Sequence, residues 1–184
     1  MHINTANGLL EGAKYIESPN CDERSNGQVI DLLVIHNISL PPGEFGGPYI
    51  THLFTNTLNP QEHPFFDEIK ELRVSAHLLI RRDGQVIQYV PLNRRAWHAG
   101  VSNFCGREKC NDFSIGIEME GTDTDDYEDI QYQKLAEITR EIQRAYPQIS
   151  LDNIQGHCDI APERKTDPGE SFNWAYYKSL IKPA

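Results

Sequence analysis

Asp31 to His36 reads D-L-L-V-I-H, and the reading of these six residues decides the fold. Four consecutive apolar side chains, with Val34 and Ile35 branched at Cβ, leave no polar face for water. A strand of that kind is buried on both sides, which is the situation of a sheet covered by helices. Further strands fit the same sheet. Ser75 to Ile80 and Gln85 to Val90 are joined by Arg82-Asp83-Gly84, a strong hairpin signal. Asp112 to Glu120 and Asn153 to His157 supply two more.

Helical periodicity fills the gaps between them. From Asp129 to Tyr146, Leu135, Ile138, Ile142 and Ala145 recur on one face, and Pro147 stops the helix. Ser171 to Ile181 is expected as a closing helix capped by Ser171, with Trp174, Tyr177 and Leu180 on one face. Tyr49 to Thr57 is a shorter helix ended by Asn59-Pro60, and P-P-G-E-F-G-G-P at Pro41 to Pro48 is a shaped loop. The sum is an α/β protein with a mixed central β-sheet flanked by α-helices. No repeat or long linker interrupts it, so residues 1–184 are expected to form a single domain.

The chain has 184 residues, enough to bury a substantial core without disulfides. Its formal net charge of -10 disfavours nucleic acid or an anionic membrane as a partner. Met1 to Lys14 lacks the basic start and apolar run of a leader, and no stretch reaches membrane-spanning length. A cytoplasmic monomer is the expectation. The four cysteines, Cys21, Cys105, Cys110 and Cys158, form no C-x-x-C pair, which disfavours a zinc ribbon and leaves free thiols.

Three segments carry side chains suited to catalysis. His36 ends the first buried strand, where ligands commonly sit in open α/β sheets. A lone histidine there is, in the ordinary case, a hydrogen-bonded structural group. Gly156 to Gly169, G-H-C-D-I-A-P-E-R-K-T-D-P-G, packs His157, Lys165 and Asp167 into one bent loop. In extended chain Lys165 and Asp167, two residues apart, face the same side. Two histidines and a carboxylate with a fourth position open make a catalytic zinc set. An aspartate before proline is also a common turn residue.

Ser114 to Gly121, S-I-G-I-E-M-E-G, alternates cleanly. Ile115, Ile117 and Met119 face the core, while Gly116, Glu118 and Glu120 face the other way. Two glutamates on one face are either solvated or compensated by a metal or a lysine. Glu118 is then a candidate base for a metal-activated water, with Glu120 supporting it or lining the pocket. Cys158 should point to the core if His157 points to the site.

Together these segments resemble the zinc-dependent N-acetylmuramoyl-L-alanine amidases, the family shared with phage lysozyme-type amidases and peptidoglycan recognition proteins. The likeness is in particular to the AmpD type, the 1,6-anhydro-N-acetylmuramyl-L-alanine amidases. It is carried by L-L-V-I-H-N-I-S-L-P-P-G-E-F-G-G-P at Leu32 to Pro48, V-S-A-H-L-L-I-R-R-D-G at Val74 to Gly84, and R-A-W-H-A-G-V-S at Arg95 to Ser102. C-N-D-F-S-I-G-I-E-M-E-G-T-D at Cys110 to Asp123 and the Gly156 to Gly169 segment complete it, from about residue 10 to the end.

The resemblance implies zinc held by His36, His157 and Asp167, Glu118 as catalytic acid/base, and Lys165 as the group that stabilises the transition state. It implies a muropeptide substrate, with Asn37, His77, Trp97 and His98 suited to holding sugar and peptide. Arg73 and Arg107 could pair with stem-peptide carboxylates, since arginine binds them in a bidentate fork. Cytoplasmic cell-wall recycling and a low level of the muropeptide inducer of β-lactamase are implied as consequences. Many phage and animal relatives carry a cysteine where Asp167 stands, and a tyrosine where Ala76 precedes His77. Proton transfer therefore falls to Glu118. Two rivals stand beside this reading: a non-catalytic peptidoglycan-binding module, and a cysteine hydrolase built on Cys158.

Overall fold

The computed structural model describes residues 1–25 and 27–182; of the expected span 1–184, residues 26, 183 and 184 lie outside the described residues. Six strands form the central sheet: β1 (Lys14–Tyr15), β2 (Leu32–Ile38), β3 (Leu78–Ile80), β4 (Val86–Gln88), β5 (Ser114–Glu120) and β6 (Ile154–Gly156). Their order is β6-β2-β5-β3-β4-β1. β6, β2, β5 and β3 run parallel, β4 returns antiparallel to β3, and β1 pairs parallel with β4. Around the sheet lie α1 (Tyr49–Phe54), α2 (Pro64–Ile69), α3 (Asp129–Ala145), α4 (His157–Ile160) and α5 (Trp174–Ile181).

The all-apolar run in β2 is explained by burial on both faces. Leu33 and Ile35 pack with Ile115, Ile117 and Met119 beneath α3 and α5. Leu32 and Val34 face the other way, onto Phe113 and Ile160. On that second face α1 and α2 lay Ile50, Phe54 and Phe66 over Leu79, Ile87 and Tyr89. The start of α3 is tied to two strand ends by Gln131, which is wholly buried. Its side-chain amide donates to the carbonyls of Glu120 (3.0 Å) and Ile80 (3.3 Å), as a buried polar group must.

The structure departs from the expected boundaries at three places that matter. First, α1 stops at Phe54, and the following segment carries a second short helix, α2, which begins at Pro64 with the His63 ring accepting from the Phe65 N–H. Second, β6 ends at Gly156, so His157 opens α4 instead of closing a strand. The Asp159 carboxylate takes the Gly156 N–H at 2.7 Å and turns the chain there. Third, α5 begins at Trp174 with Asn173 as its cap, accepting from the Tyr176 N–H at 2.9 Å. Ser171 instead turns its hydroxyl to the Thr122 carbonyl.

Parallel pairing then sets the site. β2, β5 and β6 end at one edge of the sheet, with Glu118 registered opposite His36 and Gly156 opposite Ile35. Residues 36, 118 and 157 are thereby delivered to one place, beyond the carboxyl ends of the strands.

Candidate active site

Three donor atoms converge there. Nδ1 of His36, Nδ1 of His157 and Oδ2 of Asp167 are each 3.0 Å from the other two. A tetrahedral ion with bonds of about 2.0–2.1 Å separates its ligands by about 3.3 Å, so the triangle is close to the size such an ion needs. The protons agree with the distances. His157 Nε2 is 3.0 Å from the Ala99 carbonyl, which can only accept, so that nitrogen donates and Nδ1 is the atom turned toward the other two donors. Burial holds the His36 imidazole down to about 4, against the pull of Asp167, and keeps it neutral. Burial would raise the Asp167 carboxyl, but the two imidazoles outweigh it and hold it below the usual range. Two imidazoles, that of His36 held neutral by burial, and an anion around one point form a group able to hold a cation.

Glu118 lines the same cleft and is 8 % exposed. Its Oε2 is buried without a hydrogen-bond partner among the described residues. Burial, then the charge of Asp167, pushes its carboxyl well above the ordinary range, and Lys165 opposes that rise. A buried carboxyl left open at a cleft is suited to exchanging protons with a ligand.

The loop that carries Lys165 and Asp167 is fastened along its length. The Lys165 N–H donates to the Ala161 carbonyl, and the Asp167 carbonyl accepts from the Cys158 N–H, both at 2.9 Å. The Pro168 carbonyl accepts from Asn37 Nδ2 (3.0 Å) and from the Tyr127 hydroxyl (2.8 Å). Asn37 Nδ2 also donates to Asp123 Oδ1 at 2.8 Å. Gly169 closes the turn at φ +85°, and a Cβ there would lie 2.1 Å from Asp123 Cα. Only glycine permits both the conformation and the approach.

The cleft has a volume of about 700 Å³, ample for a sugar with a short peptide. His36, Glu118, His157, Lys165 and Asp167 all line it, together with Asn37, Trp97 and His98. Asn37 spends its amide on the loop just described. Four other residues lie elsewhere. His77 is wholly buried, with Nδ1 accepting from the Gly116 N–H and Nε2 donating to the Arg94 carbonyl. Burial and the neighbouring Arg24 lower its imidazole to about 3. Arg73 turns back onto the carbonyls of Lys70 and Leu72. Arg107 pairs with Asp31 at 2.6 Å and lies over the Phe113 ring. Glu120, 1 % exposed, accepts from the backbone N–H groups of Gly46 and Arg82. It fastens the Pro41–Pro48 loop to the sheet instead of lining the pocket, because it is the last residue of β5, two beyond Glu118.

Cys158 does not turn to the core either. It is half-buried on α4, where neighbours do not alternate, and burial pushes its thiol up. A thiol held in that state is a poor nucleophile. The apolar wall of the cleft comes from Leu53, Phe54, Phe65 and Ile69 of α1 and α2 with Leu72 beyond them. The parts played by Ser114 and the Ala99 carbonyl carried no signal in the sequence. Gly116 was readable: a glycine inside an otherwise filled strand marks a close approach.

A buried pair of histidines and a carboxylate, with a glutamate beside them at the carboxyl ends of parallel strands, defines a hydrolase-type site able to hold a metal ion. Residues 26–170 match the model of the N-acetylmuramoyl-L-alanine amidases, and the chain belongs to that family and is an amidase. The 1,6-anhydro-N-acetylmuramyl-L-alanine amidase AmpD of Escherichia coli (strain K12) is 62% identical over 174 residues, covering 95% of this chain and 94% of that protein. The crystal structure of a selenomethionine AmpD derivative matches with a TM-score of 0.95 at 58% identity, over 99% of this chain and 100% of that one. AmpDh3 from Pseudomonas aeruginosa, solved in complex with anhydromuramic pentapeptide, matches with a TM-score of 0.64 at 26% identity, over 94% of this chain and 65% of that one.

Proposed function

We propose that the protein is a single-domain zinc amidase that cleaves the amide between 1,6-anhydro-N-acetylmuramic acid and the L-alanine of muropeptides. The observation that carries this reading is the 3.0 Å triangle of His36, His157 and Asp167 beside the unpartnered Glu118. The name of the E. coli relative and the ligand of the P. aeruginosa structure support the substrate. His36, His157 and Asp167 would hold the ion, which supplies Lewis-acid polarisation of the scissile carbonyl and of the attacking water.

The chain's own residues do the rest. Glu118 takes a proton from the water as its oxygen adds to the lactyl carbonyl carbon, and returns it to the alanine nitrogen as the C–N bond breaks. Its raised pKa suits a group that must both accept and donate near neutral pH. Lys165 offsets the negative charge that develops on the carbonyl oxygen, an effect worth about 10²–10³ in rate where such donors have been removed. Trp97 presents a buried indole N–H with no acceptor among the described residues, free to bond the sugar or peptide.

The setting we infer is cytoplasmic cell-wall recycling by a monomer, with a lowered level of the inducer of β-lactamase as its consequence. No described helix is long and apolar enough to cross a membrane. The deciding experiment is turnover of a purified anhydro-muropeptide, abolished by a chelator and restored by zinc. Failure of zinc-loaded protein to release free peptide would overturn the enzyme reading and leave a binding module.

A further inference from the structure

Ser114, Gly116 and Glu118 share one face of β5, and each side chain, or its lack, has a consequence at the site. Glu118 faces the cleft. Gly116 leaves a hole, since a Cβ there would lie 2.5 Å from both Cγ and Nδ1 of His98. The His98 ring therefore seats directly on the strand. Ser114, wholly buried, places its Oγ 3.1 Å from His98 Nε2. The other nitrogen of that ring, Nδ1, is 2.9 Å from His36 Nε2. The backbone N–H groups of His98 and Ala99 both donate to Asn111 Oδ1 and fix the segment. Ala99 then gives its carbonyl to His157 Nε2. Two adjacent residues thus hold the outer nitrogens of both imidazoles.

We propose that His98 is a positioning residue for the metal, the middle of a hydrogen-bond relay running from His36 Nε2–H to His98 Nδ1 and from His98 Nε2–H to Ser114 Oγ. The inference rests on the zinc reading above. A neutral imidazole that offers Nδ1 to an ion must carry its hydrogen on Nε2, and His98 is the partner of that nitrogen among the described residues. Were His98 protonated on Nδ1 instead, it would donate to His36 and drive the His36 hydrogen onto Nδ1. That hydrogen would then point into the triangle and compete with the ion.

Metal-bound histidines more often donate to a carboxylate or a carbonyl, as His157 does to Ala99. A neutral imidazole in that place orients His36 without adding a further anion to a pocket that already holds Asp167 and Glu118. The small residues at 114 and 116 are what make room for it.

The test measures zinc affinity by competition with a chromophoric chelator, together with long-range proton–nitrogen NMR of the histidine rings in the zinc-loaded protein. His98→Phe, which keeps the ring and loses the acceptor, should bind zinc about 10–100-fold more weakly. His98→Gln, whose amide oxygen can accept, should recover to within about fivefold of the wild type. Ser114→Ala should fall between, and the spectra should show His36 and His98 each protonated at Nε2. Wild-type affinity in His98→Phe, or a His98 proton on Nδ1, overturns the relay while leaving the zinc reading intact. Wild-type protein that binds no zinc overturns both. Should His98→Phe fail to fold, Ser114→Ala and the wild-type spectrum decide alone, and unchanged affinity with the proton on Nδ1 is again the refuting result.

Discussion

His36 and Glu118 stand opposite one another in the parallel pairing of β2 with β5. The proposed ligand and the proposed proton carrier are therefore spaced by the backbone ladder of two central strands, which hold neighbours about 4.8 Å apart. Sites on such elements keep their geometry better than sites on loops. Asp167 and Lys165 come from a loop, and that loop is correspondingly dense in hydrogen bonds.

Glu118→Gln separates chemistry from metal binding. The amide keeps the shape of the side chain but cannot take a proton from water. Turnover should fall about 10²–10⁴-fold, while metal analysis of the same sample finds the wild-type zinc content. Loss of zinc in this variant would move Glu118 from proton carrier to ligand.

Asp167→Ala should do the reverse. It removes the only anion of the triangle, so zinc affinity should drop by more than about 100-fold, a larger loss than outer partners of metal ligands cause. Dialysis against a weak chelator followed by metal analysis gives the answer. Full zinc retention would contradict the ligand assignment.

Gly169→Ala tests the turn behind Asp167. The new Cβ meets the Asp123 backbone and must sit at positive φ. Strain of about 1–3 kcal/mol is expected, seen as a Tm lower by about 2–12 °C. Activity should fall with it, because the same turn carries Asp167. A variant with wild-type Tm and turnover would show the loop to be more forgiving than its contacts imply.

Acid stability should carry the mark of His77. Its imidazole falls from an ordinary value of about 6.5 to about 3 on folding. Between those values the unfolded chain holds a proton that the folded one refuses, so stability falls as pH is lowered through that window. The slope reaches about 1.4 kcal/mol per pH unit. Urea unfolding of the metal-free protein from pH 7 to pH 4 should show it, and His77→Gln should flatten it. His36, held to about 4, adds to the same slope.

Much of this was legible in the chain. The run from Leu32 to Ile35 placed a buried strand, and alternation from Ser114 to Glu120 put the two glutamates on one face. Alternation does not say where a strand's neighbours end, so it could not separate Glu118, which faces the cleft, from Glu120, which ends the strand and holds a loop. His77 shares a face with the site residues but sits one pair too far into the sheet, under Arg24 and the Arg94 carbonyl. Arg73 and Arg107 lie just outside the matched segments, and their pairing with nearby carbonyls and Asp31 depends on folds of the chain that local sequence does not encode. The Ser171 cap failed for a related reason: Asn173 offers the same kind of acceptor, and the contact with Thr122 had already claimed the serine.

The three donors have a last consequence through their separation along the chain. His36 and His157 are 121 residues apart and meet only when the sheet is assembled. An ion held between them would be a clasp on the whole topology, closing a loop of that length and tying the first long strand to the C-terminal segment. At a free zinc concentration a thousandfold above Kd, such a clasp would add about 4 kcal/mol to the unfolding free energy. Metal supply would then govern how long each molecule survives, and not only how fast it turns over.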